Sequence, residues 1–267
     1  MPEGPEIRLM SDFINEKSHN KKIVNVIKHK TKVNTDLSIL ENKTVSLKTE
    51  YHGKELRLIL SDIDKHLYFN MGMSGFWSFS KDQNIDDYKW VKLQFVYEDG
   101  SSLLMQDMRC FAKWKWDSNW STNRSPDPIQ DFDKWKDNIL NNLHKSDFKK
   151  PVYEWLLNQK WNNSVGNYLR STILFYMDLN PFQSAAEYIS NSGDIFFEVI
   201  KDIMETSYAL GGGQLMDWKN PFNLDAQDFK SWVFYQKGLG IKDSGDRTFW
   251  FHPKWEQFTH SEILYRK

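Results

Sequence analysis

The sequence predicts an α+β fold with an N-terminal β-sandwich or barrel and flanking helices, then a helical region and a C-terminal β-hairpin. Two observations predict this order. Between residues 22 and 116, short runs of β-branched and alternating apolar residues are separated by turn residues, as in antiparallel sandwiches and barrels. After residue 131, apolar residues recur at helical spacing instead.

We expect three domains, at residues 1–125, 126–235 and 236–267. The first boundary lies in the segment 118–131, which is rich in Ser, Asn and Pro and is the best candidate for a linker. At 267 residues the chain exceeds one typical domain, so a division is expected on length alone.

The first domain is predicted to begin with a helix over residues 5–18, because Ile7, Met10, Phe13 and Ile14 are spaced as on one helical face. Its strands follow. They are predicted at residues 23–27, 44–49, 56–60, 66–71, 92–97 and 102–106, with a turn at 98–101 before the last.

The second domain is predicted to be mainly helical, and the third contains a hairpin over residues 238–251. Helices are predicted at 133–143, 150–158, 166–177, 184–189, 194–210 and 225–235. The run Gly211-Gly212-Gly213 ends the longest of them. Most of the twelve tryptophans are expected to fill cores and interfaces between domains.

The composition excludes several classes of protein. A single cysteine, Cys110, excludes an internal disulfide and a four-cysteine zinc site, and no histidine pair has a metal-ligand spacing. We therefore predict no metal and no cofactor. No apolar run of about 18 residues is present, and the polar N-terminus lacks a secretory signal, so we expect neither a membrane span nor secretion.

The charge alone does not indicate a nucleic-acid partner. The formal net charge is −1, whereas nucleic-acid binders usually carry a basic excess. A DNA-binding surface would have to come from local clusters such as Lys28, Lys30 and Lys32, or Lys113 and Lys115. Runs this short are more often solvated edges.

The first residues carry the clearest chemistry. If Met1 is removed, the chain begins with Pro2, whose amine is secondary and nucleophilic, and the carboxylate of Glu3 follows at once. An unblocked α-amine has a pKa of about 8, so about a tenth of it is neutral at pH 7. Such an amine can attack a sugar aldehyde carbon and form an iminium. The alternative is a common polar start without function.

Two glycine-containing loops offer candidate contacts. In His52-Gly53-Lys54 the glycine permits a tight turn that would place the Lys54 ammonium at a concave site, or Lys54 is an ordinary exposed cation. In the stretch from Met71 to Gly75, two glycines bracket Met73, which would be an apolar wedge between bases if exposed and a core residue if packed inward.

A third loop places an arginine and a phenylalanine two residues apart. Arg109 can pair with a base edge, and Phe111 can stack in the gap left by a displaced base. The alternative is a surface pair of Arg109 with Asp107 beside a core phenylalanine.

Two candidate phosphate contacts lie in the second half of the chain. Gly166-Asn167 opens a helix, whose free N–H groups and positive dipole end bind phosphate, or Asn167 only caps that helix. Arg247 occupies a predicted hairpin tip flanked by aromatic residues, which suits phosphate binding, or it is a surface arginine on a turn.

Taken in order, these motifs resemble the Fpg/Nei family of DNA glycosylases along nearly the whole chain. The resemblance rests on the start Pro2–Ile7, the Gly-Lys turn, Met-Gly-Met-Ser-Gly, Asp-Met-Arg-Cys-Phe, the stretch Val165–Arg170 and the final Arg-Thr-Phe-Trp-Phe. The four cysteines of the family's zinc finger are missing. The chain therefore looks like the zincless-finger branch, the vertebrate Nei-like 1 type.

The resemblance implies a fold and a reaction. Its N-terminal β-sandwich and a helix–two-turn–helix domain with a zincless-finger hairpin would clamp damaged double-stranded DNA. It implies a monomeric bifunctional glycosylase and AP lyase of base excision repair, located in the nucleus or cytoplasm, wherever DNA is present. Pro2, Glu3 and Lys54 would be catalytic. The DNA-binding residues would be Met73, Arg109, Phe111, Asn167 and Arg247.

The favoured substrates by resemblance are oxidised pyrimidines and ring-opened purines. Two alternatives stay open. One is the 8-oxoguanine preference of Fpg enzymes. The other is a non-catalytic protein that binds DNA structure with the same fold.

Overall fold

The computed structural model describes residues 2–213 and 220–267, which form two compact units. As far as the chain is described, one unit runs to Trp120 and also takes in Gly211–Ala226, and the other comprises Ser121–Leu210 and Gln227–Lys267. The domain boundaries at residues 125 and 235 stay a prediction. No sequence feature indicated that residues 211–213 and 220–226 return to the first unit.

The first unit begins with helix α1, Gly4–Ser18. Glu3 occupies its N-cap position, and the backbone N–H of Glu3 donates to Glu6 Oε2 at 2.6 Å, as in a capping box. Farther along the helix, the hydroxyls of Ser11 and Thr49 lie 2.9 Å apart and fix α1 to the sheet. Helix and sheet together thus fix the start of the described chain.

An eight-stranded antiparallel sheet forms the body of the first unit. Its strands are β1 Lys22–Lys28, β2 Val45–His52, β3 Glu55–Leu60, β4 His66–Asn70, β5 Gly75–Ser80, β6 Val91–Tyr97, β7 Ser102–Asp107 and β8 Lys113–Asp117. The strand order is β5-β7-β6-β1-β2-β3-β4-β8.

The sheet folds over on itself. β1 and β2 join its two halves through the pairs Lys22–Ser46 and Ile23–Val45. Phe69 on β4 packs edge-on against Trp77 on β5, with ring centroids 5.3 Å apart, although these strands lie near opposite ends of the strand order. The two halves therefore face each other as layers of a sandwich, and the predicted α+β class is confirmed.

The second unit combines helices with a small sheet. The helices are α2 Phe132–Leu140, α3 Val152–Trp155, α4 Asn167–Met177, α5 Ala185–Ser192, α6 Asp194–Ala209 and α7 Gln227–Trp232. The strands β9 Leu239–Lys242, β10 Thr248–Phe251 and β11 Tyr265–Arg266 pair in the order β10-β9-β11. Trp135, Trp155 and Trp161 are fully buried in this unit, as expected for core tryptophans.

None of the helices in the described residues is long and apolar enough to cross a membrane.

Candidate active site and nucleic-acid interface

Pro2 and Glu3 lie at the start of α1, and both are buried, Glu3 with 2% of its surface exposed. Because Glu3 is the N-cap residue, its carboxylate lies at the positive end of the helix dipole. The predicted nucleophile thus directly precedes the residue that caps α1. An amine next to a carboxyl group can attack a carbon atom while the carboxyl group transfers a proton.

A second carboxylate, Glu6, organises this region, and sequence reasoning missed it. Glu6 is completely buried, and its two oxygens accept from the backbone N–H groups of Glu3 and Gly213, both at 2.6 Å. A Cβ on Gly212, at φ +74°, would lie 2.8 Å from Glu6 Oε1. The glycine run therefore permits a close approach to α1 as well as ending a helix. The capping-box spacing of Glu3 and Glu6 was the available signal.

Lys54 lies in the turn between β2 and β3, where His52 pairs with Glu55. Gly53 has a φ of +60°, a conformation that glycine adopts without strain. The predicted tight turn at Gly53 is thus present, and its positive φ favours glycine there. Lys54 belongs to the same unit as Pro2 and Glu3 but to a separate hairpin.

The loops that carry Met73 and Phe111 touch each other through their backbones. A Cβ on Gly72, at φ +60°, would lie 2.7 Å from the carbonyl carbon of Phe111. Met73 is 37% exposed and Phe111 is 49% exposed, with the Arg109 guanidinium 5.2 Å from the Phe111 ring centroid. Met73 is therefore not packed inward, and Phe111 is not a core residue. All three side chains are exposed, and they lie on two contacting loops.

Asp107 ties these two loops together. Its side chain is 1% exposed, and its Oδ1 accepts from the Ser74 hydroxyl at 2.5 Å and from the Arg109 N–H at 3.2 Å. Its Oδ2 accepts from the Ala112 N–H at 2.7 Å. Asp107 is thus a buried anchor for the loop backbone. The alternative was a surface ion pair between Asp107 and Arg109, but no contact of the Asp107 carboxylate with the Arg109 side chain is found among the hydrogen bonds and ion pairs described for these residues.

Replacing Asp107 with Ala should lower the free energy of unfolding by about 2 to 3 kcal/mol, because a buried hydroxyl and two N–H groups lose their acceptor. Chemical unfolding would measure the loss, and hydrogen exchange should quicken in both loops. Asp82→Ala, at an exposed position of the same unit, is the control. Unchanged stability and exchange in the Asp107 variant would show that the carboxylate does not hold the loops.

Asn167 connects α4 to the C-terminal hairpin. Gly166 is the N-cap of α4, so Asn167 is its first helical residue rather than its cap. The Asn167 Nδ2 group donates to the Thr248 carbonyl at 3.0 Å and to the Tyr235 hydroxyl at 3.3 Å. Since Thr248 follows Arg247 directly, the structure brings the two predicted phosphate contacts to the same end of the second unit.

Arg247 lies in the turn between β9 and β10, and its side chain is 49% exposed. Its Nε lies 3.4 Å from Oδ2 of Asp243, which also pairs at 2.7 Å with the buried Arg170 of α4. Burial raises the pKa of Asp243, but the Arg247 N–H and the charge of Arg170 outweigh burial and hold that pKa below its usual value. This turn therefore carries a buried carboxylate that is ionised at neutral pH.

Within residues 2–213 and 220–267, no three His, Cys, Asp or Glu side chains cluster as a metal site would require. Cys110 is exposed and lies on the Arg109–Phe111 loop of the first unit. The absence of a metal stays a prediction.

The sequence is similar to a family model and to curated proteins of DNA repair. A family model described as the formamidopyrimidine-DNA glycosylase N-terminal domain matches residues 1–114. Endonuclease 8-like 1 of Homo sapiens is 31% identical over 196 residues, which are 69% of this chain and 50% of that protein. The chain thus spans about half the length of this relative. A formamidopyrimidine-DNA glycosylase of Wolbachia pipientis is 27% identical over 233 residues, 83% of each chain.

The fold is shared with solved structures. A mutant FPG of Lactococcus lactis, in complex with DNA that contains Fapy-dG, superposes with a TM-score of 0.80 at 19% identity. The superposition covers 95% of this chain and 99% of that one. Both units therefore have counterparts in a single known protein.

Proposed function

The chain belongs to the Fpg/Nei family of DNA glycosylases, and on that premise we propose that it is a bifunctional DNA glycosylase and AP lyase of base excision repair. The observation that carries the proposal is the Pro2-Glu3 pair, buried at the start of α1 within the segment that the family model matches. The proposal requires removal of Met1, which frees the proline amine. It also implies a protein located wherever DNA is present, acting as a monomer on damaged duplex.

The reaction would begin on a nucleotide flipped out of the duplex, since its sugar carbon is out of reach in the stack. The Pro2 nitrogen would attack C1′ as the bond from C1′ to the base breaks, and the base departs with a proton. Glu3 would protonate O4′, so that the sugar ring opens and the nitrogen lone pair forms an iminium with C1′.

The iminium would then drive strand cleavage. It withdraws electrons and acidifies C2′, so a proton leaves C2′ as the 3′-phosphate departs. A second elimination releases the 5′-phosphate, and water hydrolyses the remaining iminium to regenerate the amine. Lys54 is the basic side chain that we assign to the phosphates beside the reacting sugar.

The remaining candidates would hold the DNA. Asn167 and Arg247 would contact phosphates. Two observations support this: Asn167 binds the carbonyl of Thr248, the residue after Arg247, and the Arg247 guanidinium is half exposed. Met73, Arg109 and Phe111 would fill the space that the flipped nucleotide vacates. Their support is that two apolar side chains remain exposed on loops held together by a buried carboxylate.

Met73→Ala and Phe111→Ala should each slow excision from duplex DNA much more than from a single strand. Unstacking a base costs a few kcal/mol, and wedge contacts offset that cost only in a duplex. Single-turnover excision on matched strands would measure the ratio. Ile39→Ala, at an apolar position of the same unit that is 42% exposed, is the control. Equal slowing on both substrates would show that Met73 and Phe111 do not act as wedges in the duplex.

Borohydride trapping on duplexes that each contain one lesion tests the function itself. We expect a covalent complex with oxidised pyrimidines and ring-opened purines. Faster trapping on 8-oxoguanine would favour the Fpg-type preference. Tight binding to these duplexes without base release or trapping would indicate the non-catalytic DNA-binding alternative.

A further inference from the structure

One buried carboxylate organises the turn that carries Arg247. Asp243 follows β9, and its Oδ1 accepts from the backbone N–H groups of Gly245 and Arg247, both at 2.9 Å. Its side chain is 2% exposed. Because the carboxylate binds two donors of its own turn, it fixes the backbone from which the Arg247 side chain projects.

The same carboxylate is held from the other side by α4. Arg170 is completely buried, and its Nη1 donates to Asp243 Oδ2 at 2.7 Å and to the Tyr153 carbonyl at 3.1 Å. Its guanidinium carbon lies 5.2 Å from the centroid of the Phe249 ring on β10. Nε and Nη2 of Arg170 have no hydrogen-bond partner among the described residues. Asp243 is thus the anion that balances a charge taken out of water.

A second tether joins the turn to α3. The Ser244 N–H and hydroxyl each lie 3.1 Å from an oxygen of Glu154. Tyr153 of α3 stacks on Phe249, with ring centroids 4.7 Å apart. The hairpin is therefore fastened to two helices through polar and aromatic contacts.

We propose that Asp243 and Arg170 are positioning residues that take the structural place of a metal in the C-terminal hairpin and present Arg247 to a DNA phosphate. A structural metal holds a small hairpin by binding ligands from separate strands. Here a single carboxylate does this work, since it binds the turn through one oxygen and α4 through the other. The proposal rests on the proposed DNA binding.

The contact between Asp243 and Arg247 is the weaker of the two arginine contacts. Arg247 Nε lies at 3.4 Å and is half exposed, whereas Arg170 lies at 2.7 Å and is buried. Asp243 thus orients the Arg247 side chain, but the Arg247 charge is not taken up in a buried ion pair. A phosphate approaching from solvent can bind the remaining N–H groups of its guanidinium.

The test is Asp243→Asn, which keeps an oxygen for the turn but removes the charge that Arg170 requires. Amide exchange of residues 243–247 should quicken by at least about tenfold, because the turn would open locally. The log–log salt slope of DNA binding should fall by about one, as for a lost phosphate contact. Asp246→Asn is the matched control, since Asp246 lies on the same turn with its side chain 89% exposed.

Combining variants distinguishes positioning from a general loss of structure. If Asp243 acts through Arg247, then Arg247→Ala added to Asp243→Asn should lower the affinity for DNA no further. Full additivity of the two losses, or unchanged exchange in Asp243→Asn, would overturn the proposal. If Asp243→Asn does not fold, Arg170→Gln with Asp243→Asn should restore folding, because neither buried charge then lacks a partner. Failure of that rescue would also count against it.

Two further results keep this proposal separate from the proposed function. Absence of DNA binding by the wild type would remove the proposed function, while the exchange of residues 243–247 would still decide whether the ion pair holds the turn. Stoichiometric zinc in the purified protein, with hairpin exchange that quickens on chelation, would show that a metal holds the hairpin instead.

Discussion

Adding one residue before Pro2 should abolish both base release and borohydride trapping. The added residue converts the proline nitrogen into an amide, whose lone pair is delocalised and cannot attack C1′. We expect the rate of base release to fall by at least about 10³-fold, as when a covalent nucleophile is removed. Single-turnover kinetics and trapping on a lesion-containing duplex would measure this loss, and mass spectrometry would verify the N-terminus.

The matched control is the same residue added after Lys267, which leaves the proline amine free. That variant should be trapped as efficiently as the unmodified protein. An equally strong cross-link in the variant extended before Pro2 would show that the nucleophile is a lysine and not Pro2. The start of α1 would then have a structural role only.

Glu3→Gln should retain lesion binding and lose base release by about 10²- to 10⁴-fold, the range for a general acid or base. Glutamine keeps the size of the side chain and an oxygen at the N-cap of α1, but it cannot donate a carboxylic proton to O4′. Excision rates and DNA affinity, measured separately, would give the two effects.

The control for this variant is Glu16→Gln, on the same helix with a side chain that is 55% exposed. It should leave both quantities unchanged. An equal loss of affinity and rate in Glu3→Gln, together with a lower melting temperature, would indicate that Glu3 only caps the helix.

Local patterns predicted much of the fold, and their failures have physical causes. The alternation in β2 and β3 indicates strands because one face of each is buried. β8 alternates as well, with Trp114 buried between the exposed Lys113 and Lys115, but it was not predicted because the two lysines also suit a local basic cluster. β5 begins at Gly75, the last residue of the glycine turn around Met73, and was not among the predicted strands.

Candidate residues within one motif could be found from sequence, whereas contacts between distant segments could not. Pro2 and Glu3 are adjacent, and Arg109 and Phe111 share one loop, so their motifs could be found in the sequence, and the family resemblance implied their roles. Arg170 and Asp243 are 73 positions apart. Asp243 resembles an ordinary turn aspartate, and only burial beside Arg170 distinguishes it.

The return of the chain to its first unit has a consequence for biosynthesis. A nascent chain emerges from the ribosome N-terminus first, and domains generally fold as units during synthesis. Here Glu6 obtains its second N–H donor from Gly213, which is made only after residues 121–210. The start of α1 thus reaches its final hydrogen bonding late in translation. A truncated nascent chain that ends at Trp120 would leave one buried Glu6 oxygen without that donor.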